Sequence, residues 1–327
     1  MNENLRTELV FYYESRQNPN GDPGFENQPR LMPDGTILVT DVRIKRTIRD
    51  YAKNTLRENL FVDLGEEGEP VTADVRAKEI LGVKEVKRDD AIDDAIELIE
   101  KTFDTPLFGA LVPIRSKGEG SEEGNAIKIT GPVQFGIGRS VNKVNVISPQ
   151  ISGAFVGKEK ERKEQFRTFG KFYSVEYALI KIHGAINPMN LGEYLKDDKV
   201  KRRFEDTHKK LFECLWEGTN NLITRSKFPQ RSVFYLEVTY DGVIYNDLAL
   251  LIEENDEMKG TITALSKKPF KFEKLISVLE KRKDKIKQIR VAACEELSED
   301  TEKLISELKK KGIQTVEAIK VGKAHSI

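Results

Sequence analysis

Leu38-Val39-Thr40-Asp41-Val42-Arg43-Ile44-Lys45-Arg46-Thr47-Ile48-Arg49-Asp50-Tyr51, preceded by the turn-rich run Asn18-Pro19-Asn20-Gly21-Asp22-Pro23, decides how this chain is read. A loop leaves a hydrophobic strand, and a helix follows whose outer face is a ladder of cations. Lys45, Arg49, Lys53 and Arg57 recur at i, i+4 spacing and stack along one side. Ile44, Ile48, Tyr51, Ala52 and Thr55 take the opposite side and can pack on a sheet. Positive charges about 6 Å apart suit an extended phosphate backbone. The same spacing also fits a solvated basic face.

Before this stretch, Glu8-Leu9-Val10-Phe11-Tyr12-Tyr13-Glu14 is β-branched and aromatic, hence a first strand. Residues 16–37 hold four prolines and three glycines and read as a long loop. The helix runs from about Thr40 to Arg57, with Thr40 or Asp41 as N-cap. Gly65, Gly68 and Pro70 end the pattern, and 71–101 resumes as mostly helix. Residues 116–124 form a polar glycine-rich loop. Strand character returns from Ile127 to Phe135 and, after a polar insertion at 142–170, from Phe172 to Ile186. Residues 197–224 read as a helix with a stripe of Phe204, Leu211, Phe212, Leu215 and Trp216, and Ser232–Tyr240 as a strand. The order strand, helix, strand, strand, helix, strand is that of an α+β, ferredoxin-like (βαββαβ) fold, which the RNA-recognition motif shares. The tail from 271 adds a helix, a strand near 286–292, a helix near 299–311 and a strand near 316–321.

The chain has 327 residues, ample to bury a core, with 38% hydrophobic and 33% charged residues. Lysine plus arginine equal aspartate plus glutamate at 54 each, which disfavours an indiscriminate polyanion binder. Charge is nonetheless segregated: 43–57 is basic, 63–69 and 89–100 acidic. Cys214 and Cys294 stand far apart, and the histidines are His183, His208 and His325, so no zinc pattern arises and no cofactor is expected. No stretch has the length of a membrane span, and Leu5-Arg6-Thr7-Glu8 is unlike a signal peptide, so a reducing cytoplasm and no membrane partner are expected.

Three further groups are candidates for phosphate contact. Asn18, Asn20 and Gly21 give a turn whose amides can face an anion, or a plain structural turn. Gly138, Arg139 and Ser140 combine close backbone approach with a fork-shaped cation in what reads as a bend; the third glycine of a dinucleotide fingerprint is missing. Lys227 and Arg231 bracket Phe228-Pro229-Gln230 and either line the same groove or are surface charge.

As a set these motifs resemble the backbone subunit of type I CRISPR surveillance complexes (Cascade), of the RAMP superfamily, especially its I-B and I-C branches. Asp104-Thr105-Pro106-Leu107-Phe108-Gly109, Ile129-Thr130-Gly131-Pro132-Val133-Gln134-Phe135 and Phe228-Pro229-Gln230-Arg231-Ser232 extend the match to roughly residues 5–240. The resemblance implies a modified RNA-recognition-motif palm (1–57, 127–141 and 172–327), a helical fingers insertion (58–126) and a β-hairpin thumb (142–171). It implies polymerisation of this chain along a CRISPR guide RNA, whose bases then pair with target DNA. Other Cascade subunits and a recruited helicase-nuclease are the further partners. It places Lys45, Arg46 and Arg49 on the guide phosphates, together with Lys53, whose position at a helix C-terminus also suits a cation for dipole reasons. Phe155, Phe166 and Phe169 are candidate wedges between bases, with Arg167 and Lys171 as nearby phosphate contacts. The groove is expected as a cationic trough over an open sheet.

The competing class is an RNA-cleaving CRISPR protein. A repeat-processing endonuclease would need one of the histidines as general acid or base, and none stands in an evident catalytic motif. A type III-like backbone ribonuclease would need a loop aspartate, for which Asp22, Asp34 and Asp41 are available. A carboxylate at a helix start is equally explained as a cap. Binding without catalysis is the expectation.

Overall fold

The structure, a computed structural model, describes residues 3–86, 90–114, 126–148, 150–153 and 168–321, with backbone alone for 150–153 and 168–171. In chain order it begins β1 (Leu5–Ser15), β2 (Gly21–Asp22), β3 (Gln28–Leu31), β4 (Ile37–Val39) and α1 (Asp41–Asn54). Next come α2 (Ala73–Leu81), α3 (Ala91–Lys101), α4 (Thr105–Phe108), β5 (Gly109–Pro113) and β6 (Ala126–Thr130). β7 (Val133–Phe135), β8 (Gly138–Ser140), β9 (Val146–Ile147), β10 (Gln150–Gly153), β11 (Thr168–Lys171) and β12 (Ser174–Val175) follow. β13 (Ala178–Ile186), α5 (Asp198–Asn220) and β14 (Gln230–Asp241) complete the central part. The tail holds α6 (Leu248–Leu251), β15 (Glu253–Glu254), β16 (Phe270–Lys271), α7 (Glu273–Lys281), β17 (Ile286–Ala293), α8 (Ser298–Lys310) and β18 (Val316–Ala318).

The main sheet runs β18-β17-β14-β1-β13-β8-β4-β3-β2, with β7 also on β13. β1 is central, antiparallel to both β13 and β14, and only β17–β18 among its pairings is parallel. The unbroken apolar run in β1 follows from burial on both faces. Leu9, Phe11 and Tyr13 enter one core with α1 and α5, whereas Val10 and Tyr12 enter a second core. That second core takes Leu248 and Leu251 from α6, Leu275 and Leu279 from α7, and Leu304 and Leu308 from α8.

The expectation of an open sheet is therefore corrected. The tail adds β17 and β18 to one edge and lays its helices over the face opposite α1 and α5. A groove for a strand must lie at an edge or among loops.

The expected strand 127–135 is also corrected, because Gly131-Pro132 divides it. β6 pairs with β5 in a separate two-stranded sheet, and β7 joins β13. Backbone contact enforces the break: a Cβ on Gly109 would stand 2.1 Å from Ile129 O, and one on Gly131 2.1 Å from the Phe108 carbonyl carbon. Gly109 also holds φ +79°, a left-handed value that favours glycine.

Between β8 and β13, β9 pairs with β12, and β10 with β11 from Gln150↔Lys171 to Gly153↔Thr168.

Candidate nucleic-acid interface

α1 forms because Ile44, Thr47, Ile48, Tyr51 and Ala52 are buried along one stripe, against α5. Thr55, expected on that stripe, is exposed beyond the helix end. Thr40 is the N-cap residue, but its hydroxyl donates to Asn20 Oδ1 at 3.3 Å instead of capping its own helix. The helix start and the Asn18–Asp22 loop are thereby tied together.

The row of free cations expected on α1 is not what the structure holds. Lys45 Nζ lies 3.3 Å from Asp41 Oδ2, and its ammonium sits over the Phe108 ring. Arg46 Nε donates to Asp50 Oδ1 at 2.6 Å, and Lys53 Nζ to Asp63 Oδ1 at 2.7 Å. Arg49 Nε donates to Asp104 Oδ2 at 2.7 Å. Exposure separates the four. The Arg46 and Lys53 side chains are 66% and 45% exposed, whereas Lys45 and Arg49 are 13% and 12%. Exposed pairs are worth about 0–1 kcal/mol and yield readily to a stronger anion. The Arg49–Asp104 pair is fixed, since Asp104 also accepts from the amides of Phe61 and Val62 at 2.7 and 3.1 Å.

Three further cations, of which Arg43 alone has a carboxylate partner among the described residues, gather in a cleft of about 540 Å³ beside the start of α1. The Asn18–Asn27 loop forms one wall, Phe172 and Tyr173 a second, and Arg225 to Lys227 a third, with Arg43 reaching in from α1. Lys227 Nζ donates to Asn18 O at 2.8 Å, and no carboxylate among the described residues pairs with it. Burial, assisted by the nearby Arg43 charge, pushes the Lys227 ammonium down to about 8. Arg43 donates to Thr47 Oγ1 at 3.0 Å and is 3.7 Å from Asp50. Arg225 lies over the Phe172 ring, 5.7 Å from its centre. One carboxylate, Glu26, shares the lining and accepts from the Tyr173 hydroxyl at 3.1 Å.

Asn18 and Asn20 belong to the lining of this cleft and are only 3% and 7% exposed. Asn18 Nδ2 donates to Asn27 O at 2.5 Å. Gly21 is required in the wall, where a Cβ would lie 2.8 Å from Asn27 O. Asn18, Asn20, Gly21 and Lys227, separated by two hundred residues of chain, are thus brought together.

Other candidates fall elsewhere. Gly138, Arg139 and Ser140 form strand β8 between β4 and β13, not a bend. Gly138 is small because a Cβ would press on Ile182 at 3.0 Å. Arg139 is held by Thr36 Oγ1 and Asp34, and buried Ser140 donates to Asn142 O at 2.7 Å. Arg231 lies outside the cleft lining, in β14, where it donates to Glu14 and Glu296. Phe155, Phe166 and Arg167 lie outside the described residues, and of Phe169 and Lys171 only the β11 backbone is described.

Sequence reasoning missed Arg43, Arg225, Phe172 and Tyr173. Arg43 stood in the deciding stretch but off the i, i+4 ladder, and Arg225 only two residues from Lys227.

The candidate catalytic groups have structural partners. Asp22 accepts from Gly24 N and pairs with Arg30, Asp34 accepts from Thr36 and Arg139, and Asp41 pairs with Lys45. His183 Nε2 stands 3.4 Å from Glu8 without hydrogen-bond alignment. Burial holds His208 below its usual value beside a stacked Phe204. His325 lies outside the described residues. Among the described residues no three of His, Cys, Asp and Glu stand together at metal-binding distance, and no helix is long and apolar enough to cross a membrane.

The family model for "CRISPR-associated protein Cas7" matches residues 5–290. The chain belongs to the Cas7 family. A curated Cas7 from Haloferax volcanii (strain DS2) is 26% identical over 304 residues, which is 88% of this chain and 86% of that one. A chain from a solved "CRISPR RNA-guided surveillance complex, pre-nicking" is 14% identical with a TM-score of 0.49, covering 89% of this chain and 92% of its own. A chain from another "CRISPR RNA-guided surveillance complex" is 12% identical with a TM-score of 0.47, covering 89% of each.

Proposed function

We propose that this Cas7-family chain is a noncatalytic backbone subunit of a type I, I-B-like, CRISPR surveillance complex in the cytoplasm. Copies of it line up along a guide RNA and present the guide bases for pairing with target DNA, beside other Cascade subunits and a recruited helicase-nuclease. The order β14-β1-β13-β8, with α1 and α5 on one face, supports a ferredoxin-like palm. The α2–α3 insertion and the β10–β11 ladder fit the fingers and thumb roles.

The observation that carries the reading is the cleft itself: Lys227 and Arg225 lack a carboxylate partner among the described residues, and Arg43 stands beside them. These groups grip ribose-phosphate, so affinity depends on phosphate and hardly on base identity. Arg46 and Lys53 extend the grip by exchanging exposed carboxylates for phosphates. Lys45 and Arg49 serve mainly to hold α1 in place, a revision of their expected role.

Salt titration of single-stranded RNA binding tests this. Affinity should fall steeply with salt, and each of Arg43→Ala, Arg225→Ala and Lys227→Ala should reduce the slope by about one, alike for all sequences. Unchanged slopes in all three variants would remove the cleft from the interface.

A further inference from the structure

A single lysine, Lys227, stands in the lining of the cleft, beside the guanidiniums of Arg43 and Arg225. Its Nζ directs two of its donors at neutral oxygens, Asn18 O at 2.8 Å and Ser226 Oγ at 3.4 Å, and meets no carboxylate among the described residues. Burial first and the Arg43 charge second favour the uncharged amine, which titrates at about 8. About a tenth of such a group is neutral at pH 7, against a few parts in ten thousand for an exposed lysine near 10.4. A desolvated amine next to another cation is an activated nucleophile.

Arg225 supplies the second half of a site. It is exposed on the same wall, two residues from Lys227, and its guanidinium meets the Phe172 ring and no carboxylate among the described residues. A guanidinium of this kind presents a planar fork that matches phosphate oxygens. A nucleophilic amine and a phosphate grip in one cleft suit a small molecule that joins a phosphate to an electrophilic carbonyl carbon. Acyl phosphates have that structure. A simple anhydride offers the carbonyl without the phosphate.

We propose that Lys227 is a modification site: an acyl phosphate seats its phosphate at Arg225 and Arg43 and transfers its acyl group to the Lys227 amine. The nitrogen lone pair attacks the carbonyl carbon and forms the C–N bond. The C–O bond to phosphate breaks, its electron pair stays on the phosphate oxygen, and the proton lost by nitrogen goes to the departing phosphate. The products are an amide and inorganic phosphate, and no oxidant or metal is needed. Acylation removes the lysine charge from the cleft for good. Its consequence, a weakened hold on RNA, rests on the guide-RNA reading above; bound RNA in turn covers the amine.

The test treats the full chain, freed of nucleic acid, with acetyl phosphate at neutral pH and follows each lysine by peptide mass spectrometry. Lys227 should be acetylated about tenfold faster than Lys281, Lys283 and Lys309, which are exposed and have no carboxylate pair among the described residues. Excess inorganic phosphate and the Arg225→Gln substitution should each slow Lys227 severalfold. With acetic anhydride Lys227 should keep its lead, and neither change should matter. Acetylation of Lys227 no faster than that of the three exposed lysines overturns the site. A lead indifferent to phosphate and to Arg225→Gln overturns the acyl-phosphate assignment. Single-stranded RNA should protect Lys227, and the acetylated chain should bind RNA severalfold more weakly. Rapid acetylation without protection, and with RNA affinity unchanged, would overturn the guide-RNA role of the cleft while the modification site stands.

Discussion

Arg49 on α1 donates from Nε to Asp104 Oδ2 at 2.7 Å, joining the first helix to the segment between α3 and β5. The Asp104 side chain is 1% exposed and collects two backbone amides besides the guanidinium. Removing the cation strands a buried carboxylate. Arg49→Ala should therefore destabilise the fold by about 3–5 kcal/mol in urea denaturation. The folded fraction should bind RNA with the wild-type salt slope. Unchanged stability with lost RNA binding would return Arg49 to the interface.

On the proposed reading, Lys227 should give RNA affinity a pH dependence. Its ammonium is held down to about 8, so positive charge is lost as pH rises through that value. Affinity for single-stranded RNA should decline between pH 7 and 9, and RNA binding near pH 8.5 should take up protons, because a phosphate favours the charged form. Lys227→Arg, permanently charged, should abolish the dependence. The sign for folding is the opposite. The unfolded lysine, near 10.4, binds its proton more tightly than the folded one, so this group contributes stability that grows with pH from about 8 to 10.4. Fluorescence anisotropy across that range measures the first effect and denaturant midpoints the second.

The backbone crossing at Gly109 and Gly131 admits no side chain. Gly131→Ala places a Cβ 2.1 Å from the Phe108 carbonyl carbon. It should cost about 3 kcal/mol or more and loosen the β5–β6 pairing, read by denaturation and by amide exchange at β6. Wild-type exchange and midpoint would contradict the crossing.

Much of the fold was legible because local period and burial agree. The run in β1, the stripe on α5, and the helix, strand, helix and strand of the tail are each close to where periodicity put them. The open sheet was misjudged because the unbroken run in β1 signals burial on both faces but does not show which segment covers the second one, and Val10 and Tyr12 find their partners in a tail two hundred residues away. The ladder on α1 was misread for a related reason. Spacing shows that cations share a side but cannot show Asp104 or Asp63 arriving from another segment to meet them. The proposed interface was half legible: the Asn18–Gly21 turn and Lys227 were singled out separately, and only folding joins them.

Catalysis is the direct rival. Incubation of the chain with labelled RNA and Mg²⁺ or Mn²⁺ should yield no products above a buffer control. Asp22, Asp34 and Asp41 are each engaged in holding loop or helix geometry. Metal-dependent cutting abolished by Asp22→Ala or Asp41→Ala would move the chain to the ribonuclease class.

Cross-linking maps the interface itself. The full chain assembled on a guide RNA, irradiated and digested, should yield RNA adducts on peptides carrying Phe172, Tyr173 and Arg225–Phe228, the aromatic and cationic walls of the cleft. Adducts confined to other surfaces, with those peptides recovered unmodified, would contradict the assignment of the guide to this cleft.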